Sequence, residues 1–216
     1  MCSSDLPARN ADELDFSNHL LPRRLMEAAL DLVDVRCLSF GSALESLEAS
    51  RSNPYLASKH ALGRWMAAAG VPSRLCHLRL HTLYGGAPKA HMFMGQVAAA
   101  LDAGRPFAMS EGRQLREYHH VDDVAGSVAR LLGRSWEQTS LELNSGQPVT
   151  LRALAEAVFS AFGRSDLLRV GEIPAAAGEN RDRVFHRSPD WLLLPSREPI
   201  AGVVAWLRAG HIRTGL

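Results

Sequence analysis

Residues 35–80 read VRCLSFGSALESLEASRSNPYLASKHALGRWMAAAGVPSRLCHLRL, and this stretch decides the fold. Val35 to Ser39 has the composition of a short strand, and Gly41 opens the loop that leads to Pro54. Pro54 suits the first turn of a helix running to about Ala69, Gly70 ends that helix, and Leu75 to Leu80 forms a second apolar run. Strand, helix and strand in this order predict a β-α-β unit, hence a parallel sheet with a right-handed crossover and an α/β fold. Within the unit Tyr55 and Lys59 share one helix face, being four residues apart. The chain has three tyrosines and, among 24 basic residues, two lysines, so an accidental pair at this spacing is rare.

The pair has a chemistry. A phenol ionises near pH 10, too high for a good acid at neutral pH, but an ammonium within about 4 to 6 Å favours the phenolate. A serine hydroxyl from the preceding loop, Ser39-Phe40-Gly41-Ser42, can orient a substrate oxygen while the phenol exchanges its proton. Such a trio suits a sugar hydroxyl or a ketone. The plainer alternative is an exposed tyrosine beside a solvated lysine.

Working outward, apolar residues recur at helical spacing from Glu13 to Leu32, with Pro22 starting or kinking the regular part. Beyond Gly85-Gly86, a helix is expected over Met92 to Leu101, closed by Gly104. Extended runs follow at Pro106 to Met109 and Arg116 to His120. Asp122 or Asp123 is expected to cap a helix to Leu132, Ser140 to Asn144 to form a return strand, and Thr150 to cap a helix to Phe162. Leu167 to Ile173 reads as a strand, Ala175 to Arg183 as a flexible segment, and Ser196 to Leu207 as a final helix capped by Ser196. If His119 and His120 lie on a strand they face opposite ways, which disfavours a shared metal.

Composition narrows the partners. The 216 residues suffice for one large domain or two small ones, and the net charge of +1 has no basic run of the kind that tracks nucleic acid or anionic lipid. Cys2, Cys37 and Cys76 have no metal or redox spacing. No apolar run reaches the roughly 18 to 20 residues that span a bilayer, and no signal peptide is evident, so a cytoplasmic location is expected.

The residues resemble the extended short-chain dehydrogenase/reductases, the group that includes NAD-dependent epimerases and dehydratases of sugar nucleotides. Five pieces come in that family's order between Asp15 and Trp206. They are Asn18 heading a helix that ends Leu25-Met26-Glu27-Ala28-Ala29, the serine loop followed by Asn53-Pro54-Tyr55-Leu56-Ala57-Ser58-Lys59, Leu78-Arg79-Leu80-His81-Thr82-Leu83-Tyr84-Gly85, the run from Glu111 through Arg116 to Val124, and Leu143-Asn144-Ser145-Gly146. The resemblance implies that Tyr55 is the acid/base, that Tyr55 and Lys59 hold the nicotinamide ribose of NAD or NADP, and that Asn18 supports the lysine. Ser42 takes the active-site hydroxyl position, with Ser39 its competitor. Thr82, Tyr84 and Arg116 fall where the family meets its nucleotide-sugar substrate. Arg116 suits a diphosphate, the alternative being an ion pair with Asp122 or Asp123. A homodimer is implied for the full-length parent.

Departures sharpen this. Thr82 and Gly86 replace a family asparagine and proline, the loop between Ser42 and Tyr55 is short, and Pro22 interrupts a helix. These traits resemble a branch that includes reductases of 4-keto CDP- or dTDP-hexoses. Ala43-Leu44 stands where 4,6-dehydratases place Asp-Glu, so an epimerase or reductase is favoured. Two other classes compete with this reading. One is a non-catalytic NAD(P)-binding regulatory protein of the same fold, and the other a short module that binds a partner through an open sheet edge.

The sequence contains no strand followed by a glycine-rich turn and helix, the element that cradles a dinucleotide pyrophosphate. A front portion of roughly 80 residues or more would supply it. Met1 to Leu6 also match what the end of a common sequencing adapter would encode from a GTG start, and are expected to be non-native. The division expected is therefore 1–6 non-native, 7–83 the carboxyl-terminal part of a Rossmann domain, and 84–216 a substrate-binding region, in a fragment inactive by itself. Calorimetry of this chain with NAD or NADP is expected to show weak binding or none. Micromolar affinity would overturn that expectation.

Overall fold

Strand β1 (Cys37–Ser42) lies parallel to β2 (Leu75–Leu80), with Cys37 opposite Leu75 and Ser42 opposite Leu80. The computed structural model describes residues 10–32, 34–47, 52–175, 186–192 and 197–210. Between these two strands runs α3 (Pro54–Ala68), so the β-α-β unit forms as its sequence predicts. The strand reaches Ser42, three residues past the expected end. Asn53 caps the helix by accepting from the Tyr55 and Leu56 amides at 3.0 and 3.3 Å, and Pro54 occupies the first turn, where no amide proton is required. A third parallel strand, β7 (Ser140–Glu142), joins the other edge of β2 and completes the order β1-β2-β7.

Both faces of this sheet are covered. Alternation along β2 sends Leu75 to a layer with Met26, Leu62 and Met66, and sends Cys76 and Leu78 to a layer with Val124, Leu131, Trp136 and Leu143. Preceding β1 are α1 (Ala11–Asp15), a π-helical turn at Phe16–Leu20 and α2 (Leu21–Leu30). The π turn has a local cause. Pro22 has no amide proton for the carbonyl four residues back, on Asn18, and its ring would crowd that carbonyl. The backbone widens instead, and the Leu21 amide bonds Phe16.

Three two-stranded pairs lie beyond β2. They are β3 (Thr82–Tyr84) with β6 (Tyr118–His120), β4 (Phe107–Met109) with β9 (Leu168–Val170), and β5 (Leu115–Arg116) antiparallel to β8 (Val149–Thr150). Helices α4 (Phe93–Asp102), α6 (Leu151–Ala161) and α7 (Pro199–Arg208) build a second core around Val97, Leu154, Val158, Phe159 and Val203. As expected, Thr150 caps α6, accepting from Ala153 at 3.1 Å.

Two expected caps differ. Helix α5 (Val121–Leu132) is capped by the His120 ring, which accepts from the Asp122 amide at 3.2 Å, because Asp123 is committed to the backbone and guanidinium of Arg197. Helix α7 is capped by Glu198, which accepts from Ile200 and Ala201 at 3.2 and 2.5 Å; Ser196 lies outside the described residues, as do Met1 to Leu6 and residues 176–183 of the expected flexible segment. Among the described residues no helix is long and apolar enough to cross a membrane.

Packing of α3 on the sheet is tight at one point. A Cβ on Gly63 would lie 2.8 Å from His77 Cδ2, and His77 is 1% exposed and bonded at both ring nitrogens. Alanine normally favours a helix interior over glycine by about 1 kcal/mol. At position 63 the overlap is expected to outweigh this, so Gly63→Ala should destabilise the chain by about 1 to 3 kcal/mol in urea unfolding. A stabilised variant would contradict the packing.

Candidate functional site

Helix α3 sets Tyr55 and Lys59 beside β1, the strand that Ser42 ends. Lys59 Nζ donates to the Phe40 carbonyl at 2.8 Å and lies 5.3 Å from the centre of the Tyr55 ring. Ser42 ends β1 half-exposed, and its hydroxyl accepts from the Leu44 amide at 3.2 Å. Its own amide donates to Glu45 Oε2 at 2.8 Å, completing a reciprocal capping box over the 3-10 turn Ala43–Ser46. Ser39 faces the other way. It is 8% exposed, lies 2.6 Å from His77 Nδ1, and is thereby committed to the interior.

The electrostatics depart from the simple expectation that Lys59 draws the phenol down. Burial, and then the Glu45 carboxylate, push Tyr55 above its ordinary 10.0. Burial pulls Lys59 below 10.5, while Glu45 acts to raise it. At neutral pH Tyr55 is therefore a phenol, a proton donor. A carboxylate hidden from the sequence pattern has entered the balance.

Asn18 falls in the π turn, which packs on α3. Its carbonyl is the one Pro22 leaves without the normal helical donor. Such turns recur at functional sites.

The three candidate substrate residues are placed differently. Thr82 is half-buried at the start of β3, opposite Tyr118, its amide donating to the Glu117 carbonyl at 3.2 Å. Tyr84 is 5% exposed and packs edge-on to His120 at 5.1 Å and near Trp206 at 5.6 Å. Burial, with Asp123 and Glu198 adding to it and Arg197 opposing, pushes its phenol up to about 12. Tyr84 therefore belongs to the core beneath α7. Arg116 lies in β5, and its guanidinium donates to the Leu115 carbonyl at 2.8 Å. The ion pair considered for it is made instead by Arg197, which takes both Asp122 and Asp123.

Glu117, between β5 and β6, is fully buried and organises a second polar cluster. Its carboxylate accepts from His119 Nε2 at 2.8 Å and from the Ser145 and Gly146 amides at 2.6 and 2.8 Å. His81 Nε2 lies 4.0 Å away, 2.5 Å from Asn144 Oδ1 and 3.4 Å from Glu142. His119 and His120 do face opposite ways, one buried on Glu117 and one capping α5.

Glu45, His77 and Glu117 had escaped the sequence reading. A signal existed for His77: it occupies a position of β2 whose alternation calls for an apolar side chain, and a buried imidazole demands partners. Glu45, 32 residues earlier, carries no local mark of being that partner.

The model of the NAD dependent epimerase/dehydratase family matches residues 3–142. A dTDP-L-rhamnose 4-epimerase of Burkholderia thailandensis is 27% identical over 151 residues, 64% of this chain and 41% of that protein. The chain thus spans less than half of that relative. Among solved structures, a UDP-glucose 4-epimerase of Thermotoga maritima with UDP-glucose superposes with a TM-score of 0.75 at 13% identity, over 97% of this chain and 76% of the other. A dTDP-glucose 4,6-dehydratase of Bacillus anthracis in complex with NAD gives 0.74 at 14% identity, over 94% and 71%. At such identities these structures establish the α/β fold with its parallel sheet and flanking helices.

The Glu117 cluster has a pH signature. Burial opposes ionisation of the carboxyl, but the His119 bond, the Ser145 amide and the charges of His81 and His119 outweigh it and hold Glu117 below its ordinary 4.5. A depressed carboxylate stabilises the fold fully above the unfolded value, and this is lost as pH falls through the folded one. Glu117→Gln is expected to cost about 3 kcal/mol at pH 7. It should also flatten the fall in stability on acidification below about pH 4.5, read by urea unfolding across that range. A parallel pH curve would contradict the clamp.

Proposed function

Since the chain belongs to the NAD dependent epimerase/dehydratase family, we propose that it carries the proton-handling part of an NAD(P)-dependent sugar-nucleotide epimerase or reductase. The observation that supports this is Lys59, bonded to the Phe40 carbonyl of β1 and set beside the Tyr55 ring, with Ser42 at the end of the same strand. Tyr55 gives its proton to a sugar oxygen as the attached carbon receives hydride, and takes it back in the reverse direction. Ser42 holds that oxygen in line. Lys59, fixed on the Phe40 carbonyl, keeps a positive charge beside the phenol and fits the ribose end of NAD or NADP. The dinucleotide, which the Bacillus anthracis dehydratase carries as NAD, supplies or accepts the hydride. Its pyrophosphate cradle is absent from this sequence, so the residues fit only the nicotinamide side.

The phenol form of Tyr55 suits protonation of a keto oxygen. Elimination finds little support. Ala43 and Leu44 carry no acid, and the nearby Glu45 is 3% exposed and committed to His77 and the Ser42 amide. Thr82 and Arg116 are kept as candidate contacts of a nucleotide diphosphate sugar, whereas Tyr84 shapes the site from the core.

The test compares turnover of CDP- and dTDP-4-keto-hexoses by the chain joined to its upstream gene sequence with that of the Tyr55→Phe variant. A loss of about 10²- to 10⁴-fold in kcat with substrate binding retained is expected. Equal activity in the variant would sink the acid/base role and favour a regulatory protein of this fold.

A further inference from the structure

The layer between α3 and the sheet should be apolar, as Met26, Leu62, Met66 and Leu75 make it elsewhere. Yet three polar side chains cross it in file. Ser39 Oγ lies 2.6 Å from His77 Nδ1, and His77 Nε2 lies 2.7 Å from Glu45 Oε1. The three are 8%, 1% and 3% exposed. No substrate reaches them, so the resemblance to a nucleophilic triad is one of residue types only. The file ends on the proposed active site, because the second oxygen of Glu45 takes the Ser42 amide at 2.8 Å. We propose that Glu45, held by His77 and Ser39, is a positioning residue: it fixes the turn that presents Ser42 and sets a carboxylate charge against the Tyr55 and Lys59 pair.

The proposal rests on the functional reading of that trio and adds to it a residue three positions past Ser42. Space is cleared for the file at two glycines. A Cβ on Gly41 would strike His77 Nε2 and both Glu45 oxygens, and one on Gly63 would strike the imidazole from the helix side. Proton placement follows from donor arithmetic. A carboxylate can only accept, so His77 must present Nε2–H to Glu45, and in a neutral ring Nδ1 is then the acceptor. The Ser39 hydroxyl has one proton and two neighbours, His77 Nδ1 at 2.6 Å and Met66 Sδ at 3.1 Å, and the nitrogen is the stronger acceptor. The Glu45 carboxylate in this dry layer acts to raise Tyr55 and to oppose the loss of the Lys59 proton.

The experiment uses this chain labelled with 13Cζ-tyrosine, whose three tyrosine resonances are assigned with Tyr55→Phe. Glu45→Gln keeps the size of the side chain and an oxygen for the Ser42 amide but removes the charge. The Tyr55 resonance is expected to titrate at lower pH in Glu45→Gln than in the unaltered chain, with Tyr84 unmoved. An unshifted Tyr55 titration in the folded variant would overturn the proposal. Should the variant fail to fold, long-range 1H–15N spectra of the unaltered chain decide. A neutral His77 protonated on Nε2 supports the file; a proton on Nδ1, alone or in an imidazolium, overturns it. Neither readout involves turnover, so a failure of the acid/base role would leave this result standing.

Discussion

A parallel strand pair cannot be closed by a tight turn, and that constraint organises the molecule. To bring β2 alongside β1, the chain must cross back over the sheet, and α3 does so. A helix returning in this way starts where the first strand ends. Ser42 and the first turn of α3 are therefore neighbours by topology, although Tyr55 lies 13 positions after Ser42. The Asn53 cap and Pro54 then set the helix start, and Lys59 follows one turn later on the same face. Its bond to the Phe40 carbonyl ties helix and strand at the place where chemistry is proposed.

Buried charge holds the two polar regions in shape. At the end of β1, Glu45 supplies the acceptor that an amide leaving a strand would otherwise lack. Between β5 and β6, Glu117 does the same for Ser145 and Gly146, joining the loop after β7 to strands on the other side. Each carboxylate is matched by an imidazole, His77 in one case and His119 in the other. Hydrogen bonds to charged acceptors are stronger than neutral ones, and in a dry interior an unmatched one is costly. Such clusters tolerate little rearrangement.

Local signals were legible where they acted locally. Asn53, Pro54 and Thr150 cap their helices because a side chain reaches an amide two or three residues away, a geometry written in the order of residues. Strands of the β-α-β unit followed from apolar runs, and Pro22 marked the break in its helix. The misplaced caps had another cause. Asp122 and Asp123 have the chemistry of a cap, but Arg197, 74 residues beyond Asp123, claims them, and His120 takes over. Tyr84 was expected where the family meets its substrate, and it packs in the core with Val203 and Leu207 of α7.

Periodicity and motifs a few residues long were enough to read the α/β class, the order of the parallel unit and the family, and to single out Ser42, Tyr55 and Lys59 as candidates. Only the tertiary structure decided the electrostatics of that trio. Burial depends on what packs above a residue, and the Glu45 charge that acts on Tyr55 and Lys59 is held by His77 from a strand on the far side of α3 in the chain. A pairing between distant residues leaves no period and no spacing to read. It exists once the sheet has formed and the helix has come down on it.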